Sequence, residues 1–155
     1  MKDNAPTLKY QEQLLSIYKE SGNRDGEESM LRIIGLTQRM QGDKDSALRY
    51  EEQLLSIYRE SGDREKEINT LESLAQNTTV MGDNAAAVRY LERLLSIYRE
   101  IGDREKEANI LESRGGTAAV MGGNATALKD QEQLLSIYRE IGDREGEIKI
   151  LESLV

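Results

Sequence analysis

The side chains that proteins most often use to move protons, attack carbonyl carbons or hold metals are missing from this sequence, which contains no histidine and no cysteine. Their absence removes the usual general base near neutral pH, the thiol nucleophile and the softer metal ligands. Carboxylates, tyrosines and a few glycine pairs remain. Asp103, Glu105 and Glu107 stand close enough to suggest a hard-cation site. They lack the central glycine of a calcium loop, however, and match instead the capping and acidic first turn of a helix. Gly115-Gly116 and Gly122-Gly123 follow no strand and carry no Lys-Ser or Lys-Thr, so they do not read as a phosphate cradle. No nucleophile, base and orienting group occur together. The expectation is a non-enzymatic protein with no cofactor and no metal.

The tyrosines lead from chemistry to architecture. Tyr18, Tyr58, Tyr98 and Tyr138 end the segments QLLSIY (13–18), QLLSIY (53–58), RLLSIY (93–98) and QLLSIY (133–138), which recur every 40 residues. Beside their Leu-Leu pairs they read as core or inter-helix packing rather than a stacking site. Tyr10, Tyr50 and Tyr90 form a second series that Asp130 breaks, and are placed on the outer helix surface. Gly22, Gly62, Gly102 and Gly142 keep the same period, as do Glu27, Glu67, Glu107 and Glu147, and Leu31, Leu71, Leu111 and Leu151.

Each period reads as two helices. Ala47, Leu48, Glu51, Leu54, Leu55 and Tyr58 step by three or four residues, and Ile68, Leu71, Leu74 or Ala75, and Thr78 do the same. Gly62-Asp63, Gly102-Asp103 and Gly142-Asp143 supply a left-handed stop followed by a cap for the next helix. Pro6, the only proline, suits the start of the first helix. A lone hairpin cannot bury its apolar face, so neighbours must stack into a rod with a concave side.

These residues resemble the tetratricopeptide repeat in a 40-residue form. The pattern W-x2-L-G-x2-Y, A-x3-F, P is met by Leu71-x2-Leu74-Ala75-x2-Thr78, Gly82 and Ala87-x3-Leu91. Gln38, Thr78 and Ala118 replace the tyrosine, Glu51 and Gln131 the phenylalanine, and Arg99 the proline. Gly35, Ala75 and Gly115, facing Ala47, Ala87 and Ala127, are the small residues of close helix approach. Arg114 departs from the Leu74 position, and Gly115-Gly116 after it predicts a soft spot, at roughly 1 kcal/mol per mid-helix glycine.

The resemblance implies an all-α fold, an α-α superhelix or right-handed helical-hairpin solenoid of about eight antiparallel helices. The chain would be one repeat domain over residues 1–155, with units at about 1–41, 42–81, 82–121 and 122–155. It also implies a protein- or peptide-binding scaffold whose first helices line the concave groove. The groove positions would be Arg32, Leu36 and Arg39, then Asn69, Glu72, Ser73, Gln76 and Thr79, then Asn109, Glu112, Ser113, Gly116 and Ala119. Short polar side chains there could bond a peptide backbone, with Glu72 and Glu112 reading a basic side chain. An ordinary solvated face is the alternative.

Charge and length narrow the partner. With 21 Lys and Arg against 29 Asp and Glu, the net charge of -8 repels a phosphate backbone and favours a basic peptide or protein over nucleic acid. No apolar run approaches the roughly 20 residues of a membrane span, and MKDNAPTLKY lacks a signal-peptide core. A cytoplasmic location is expected. Met1 to Ala5 aligns with Met81 to Ala85, so the chain opens on a second-type helix and closes inside a first-type one. Uncapped ends suggest a self-associating homo-oligomer, end-to-end or hairpin-exchanged, and equally a fragment of a longer array or of the sensor domain of a larger regulator.

Overall fold

A computed structural model describes the backbone of residues 5–155 and the side chains from Thr7 onward. The alignment of Met1 to Asn4 with residues 81–84 lies outside the described residues. Among the described residues there are eight helices and no strand: α1 (Ala5–Ser21), α2 (Arg24–Met40), α3 (Lys44–Ser61), α4 (Arg64–Met81), α5 (Asn84–Ile101), α6 (Arg104–Val120), α7 (Asn124–Ile141) and α8 (Arg144–Ser153). The fold is all-α, with successive helices joined as tight hairpins, as expected. The helices gather into two compact units divided within α4, one up to Thr70 and one from Leu71.

The turns follow from sequence as read. At the end of α3, Gly62 adopts φ 72°, a conformation that would cost a residue with a Cβ roughly 1–2 kcal/mol. That reversal lets the Asp63 amide donate to the Tyr58 carbonyl at 3.0 Å and the Gly62 amide to the Arg59 carbonyl at 3.3 Å, closing the helix. The Asp63 carboxylate then accepts from the Lys66 amide at 3.1 Å and opens α4. Gly102 and Asp103 repeat the device between α5 and α6, with the Lys106 amide 3.0 Å from the Asp103 carboxylate.

In the first unit, Leu15 of α1, Leu31 and Ile34 of α2, and Leu54, Ile57 and Tyr58 of α3 form the core, with Leu8, Met30 and Tyr50 packed against it. Complete burial of a leucine or isoleucine is worth about 1.5–3 kcal/mol, and Leu31 and Ile34 are both completely buried. In the second unit Leu71, Leu74, Leu94, Leu95 and Leu111 hold the corresponding places.

Three expectations change. Tyr10 is exposed, but Tyr50 is half-buried and Tyr90 only 8% exposed, so their series is not an outer-surface one. Spacing explains this: Tyr50, Leu54 and Ile57 lie at i, i+4 and i+7 and share one helix face. Asp130, which stands in that series, is completely buried. Second, Arg114 is more than a departure from the Leu74 position within the continuous α6. Arg114 is one half of a charged pair, its Nε donating to the Asp130 carboxylate at 2.9 Å and its Nη2 to the second carboxylate oxygen. Third, Glu107 does more than favour a helix start. Arg99, in the last turn of α5, and Arg104, in the first turn of α6, donate to its two oxygens at 2.8 and 2.7 Å. Burial pushes the Glu107 carboxyl up, but the two guanidiniums outweigh that and hold it below its usual value.

Candidate functional site

The face expected to bind a partner is set by helix spacing. On α6, Glu107, Ala108, Ile110, Leu111 and Ala118 are buried, which leaves Asn109, Glu112, Ser113 and Gly116 on the opposite side, where Asn109 and Glu112 are exposed. Within the second unit this side borders two clefts. The larger, about 440 Å³, is lined by Glu72, Gln76, Thr79 and the exposed Val80 of α4, Leu91 of α5, and Ile110, Ser113 and Thr117 of α6. The smaller, about 250 Å³, includes Glu112 and Gly116 of α6, Leu134 of α7 and Lys149 of α8.

Of the thirteen groove positions expected from sequence, Glu72, Gln76, Thr79 and Ser113 therefore share one cleft, and Glu112, Gly116 and Ala119 share another. Ser73 is half-buried and accepts from the Asn77 amide at 3.3 Å. Asn109 is exposed beside the larger cleft, on the helix that carries Ser113. Asn69 is exposed on the part of α4 that belongs to the first unit, and Arg32 and Arg39 lie on α2 of that same unit. Arg32 donates to Glu28 at 2.5 Å and to the Tyr58 hydroxyl at 3.1 Å, and Arg39 pairs with Glu51.

The carboxylates are also engaged. The Tyr98 hydroxyl donates to Glu72 at 3.0 Å, and Lys149 pairs with Glu112. Burial, reinforced by the Glu72 carboxylate, pushes the Tyr98 phenol up to about 12. In the first unit Tyr58 does related work, donating to Glu28 at 3.1 Å while the Lys66 ammonium stands 5.3 Å from its ring centre. Tyr58 and Tyr98 thus pack as expected, and their hydroxyls additionally hold the carboxylates Glu28 and Glu72 in place. Sequence reading missed that second role.

What the larger cleft offers a ligand is mostly neutral. The hydroxyls of Thr79, Ser113 and Thr117 donate to carbonyls of their own helices at 2.8, 3.0 and 2.9 Å, which leaves their lone pairs as acceptors. The amides of Gln76 and Asn109 have no partner among the described residues, and each carries both donors and an acceptor. Among the described residues no group of three or more acidic side chains is placed to hold a metal ion, and no helix is long and apolar enough to cross a membrane.

No family model and no curated protein matches the chain. Solved structures do. A Podosopora anserina protein described as a kinesin light chain with nearly identical TPR-like repeats is 16% identical, with 98% of this chain and 94% of that chain covered and a TM-score of 0.37. A variant of that protein with one residue substituted is 17% identical, with 99% and 95% covered and a TM-score of 0.35. Both of these structures are described as having TPR-like repeats.

Proposed function

We propose that this chain is a non-catalytic helical-repeat scaffold that binds an extended segment of another protein in the larger cleft of its second unit. The observation that carries this reading is the cleft itself, where the Gln76 amide shares one space with the exposed Val80 and the edges of Leu91 and Ile110. An extended peptide needs such a surface: amides to bond its backbone and apolar pockets for alternate side chains. Because Glu72 already accepts from Tyr98 and Glu112 already pairs with Lys149, a basic side chain would have to compete for them. Charge therefore assists through the net -8, speeding encounter with a basic partner more than tightening the complex.

Selection of peptides from a random library, followed by backbone amide mapping of the bound chain, tests the reading. The expected result is perturbation centred on Gln76, Leu94, Ile110 and Ser113, with binding weakened about tenfold, or about 1.4 kcal/mol, by Gln76→Ala. Perturbation elsewhere, with Gln76→Ala binding unchanged, sinks it. Glu72→Lys combined with Glu112→Lys measures the charge component separately, and basic peptides should then lose their kinetic advantage at low salt.

A further inference from the structure

Two carboxylates stand at the same place in consecutive repeats of the second unit, and only one of them has a cation. Glu112, on α6, pairs with Lys149 of α8. One period earlier the carboxylate is Glu72, on α4, and the position of Lys149 is taken by Asn109, on α6. Among the described residues no ion pair reaches Glu72; its Oε1 accepts from the neutral Tyr98 hydroxyl, and its Oε2 accepts nothing. Competition for the two carboxylates is therefore unequal. A basic side chain must displace an ammonium from Glu112, whereas at Glu72 it needs only the second oxygen. The rest of the larger cleft has the same bias. Glu72 is the one charged residue among the described residues that line it. The Thr79, Ser113 and Thr117 hydroxyls commit their protons to carbonyls of their own helices and present lone pairs alone. Only the Gln76 side chain adds donors.

We propose that the bound segment places an arginine side chain in this cleft, its guanidinium paired with Glu72. The inference rests on the peptide-binding reading and adds the residue that the cleft selects. Arginine suits these surroundings better than lysine for two reasons. Its planar fork carries five donors, enough for Glu72 Oε2 and for hydroxyl acceptors on both α4 and α6. It is also the more weakly hydrated cation, so it enters beside Leu91 and Ile110 with less loss of water. An ammonium offers three donors at one point and gives up more. Among the described lining residues no cation awaits an acidic side chain.

The probe is N-acetyl-arginine-N-methylamide, with the lysine and citrulline compounds for comparison, titrated at low salt and followed by backbone amide shifts. The arginine compound should give saturable shifts at Glu72, Gln76, Ser113 and Thr117. The lysine compound should bind about threefold more weakly, and citrulline, which keeps the shape without the charge, about tenfold more weakly. Asn109→Lys should copy the pairing of Lys149 with Glu112, occupy Glu72 from within the chain and weaken the arginine compound about tenfold. Glu72→Gln should do the same while keeping an acceptor for Tyr98. Both positions are exposed, and unchanged helicity by circular dichroism verifies that each variant folds. Shifts that never saturate and spread over the acidic surface mean counter-ion attraction alone. Equal affinity for the lysine compound reduces the contact to a point charge, and binding untouched by Asn109→Lys or Glu72→Gln places it elsewhere. Each of these three outcomes overturns the proposal. In peptides selected by the cleft, exchange of arginine for citrulline separates the two readings. Peptides that depend on Gln76 but are indifferent to that exchange overturn this inference and leave the cleft reading standing; a cleft that takes the arginine compound but no selected peptide does the reverse.

Discussion

Where α2 meets α3, Ile34 lies in the core against which Tyr50 packs; where α6 meets α7, two periods later, Arg114 and Asp130 hold those places. The backbone geometry is shared. A Cβ on Gly35 would lie 3.5 Å from the Tyr50 Cβ, and one on Gly115 would lie 3.5 Å from the Asp130 Cβ. The chemistry is opposite, one junction apolar and the other a two-pronged ion pair whose carboxylate is completely buried. The contrast teaches that the small residue and the repeat set the helix spacing, while the side chains across it decide which helices may be neighbours. Near-copies invite mispairing. Asp130 placed against Leu74 or Ile34 would be a buried, unpaired carboxylate, so the ionic junction tells one repeat boundary from the others.

Removing one partner should give the largest effect. Arg114→Leu recreates the residue type of Leu74 but strands Asp130, and should cost about 3–5 kcal/mol in urea unfolding of the chain. Ile34→Ala at the apolar junction should cost about 2–5 kcal/mol through the cavity it leaves. A loss under about 1 kcal/mol for Arg114→Leu would mean that water reaches Asp130 and that the contrast is superficial.

Converting the ionic junction should undo most of that loss. Arg114→Leu with Asp130→Tyr copies the Leu74 and Tyr90 pair, and ion pairs replaced by well-packed apolar groups are often neutral or stabilising by about 1–4 kcal/mol. The double-mutant cycle should therefore show strong coupling. Additive losses would show that the two residues are not partners.

Much of this was legible in the sequence, and the exceptions share a cause. The period, the turn glycines and the outward-facing stripe of α6 depend on residues near one another along the chain, so spacing alone reveals them. The exceptions depend on which helices touch. Arg114 looked like a core defect and Asp130 like a gap in a tyrosine series, because each was read along its own helix. They sit 16 residues apart on adjacent helices, and two departures falling at one junction were the available signal. Glu72 and Glu112 looked ready to bind a ligand, yet their partners Tyr98 and Lys149 lie 26 and 37 residues away. Tyr50 and Tyr90 turn inward because they lie in i, i+4, i+7 register with buried residues of their own helices.

Acid acts away from both junctions, at the turn between α5 and α6, and by a smaller amount. Glu107 is held below its usual value, so the folded state favours the ionised carboxylate. Its contribution is complete above the unfolded value of about 4.3 and fades as pH falls through the lower folded value. Glu107→Gln should be less stable than the parent at pH 7 and lose less on acidification. Parallel pH profiles for the two proteins would remove the clamp as a source of stability. Tyr98 behaves oppositely in sign: raised to about 12, it adds stability below the usual value of about 10 that disappears as pH rises toward 12. Ultraviolet titration should find this phenol ionising late, and Glu72→Gln should bring it forward.

The smallest effect is the most direct test of shared geometry. Gly35 and Gly115 both lie within helices, where exchange for alanine gains up to about 1 kcal/mol of helix propensity. At both positions the added Cβ meets its nearest neighbour at 3.5 Å, an ordinary van der Waals contact, so no repulsion should offset the gain. Gly35→Ala and Gly115→Ala should then each stabilise the chain, and by similar amounts, although one abuts an aromatic residue and the other a carboxylate. A matched pair of gains in thermal melting would establish that spacing is independent of the chemistry across it. If Gly115→Ala destabilises while Gly35→Ala does not, the ion pair itself demands closer approach, and the two junctions differ in backbone as well as in side chains.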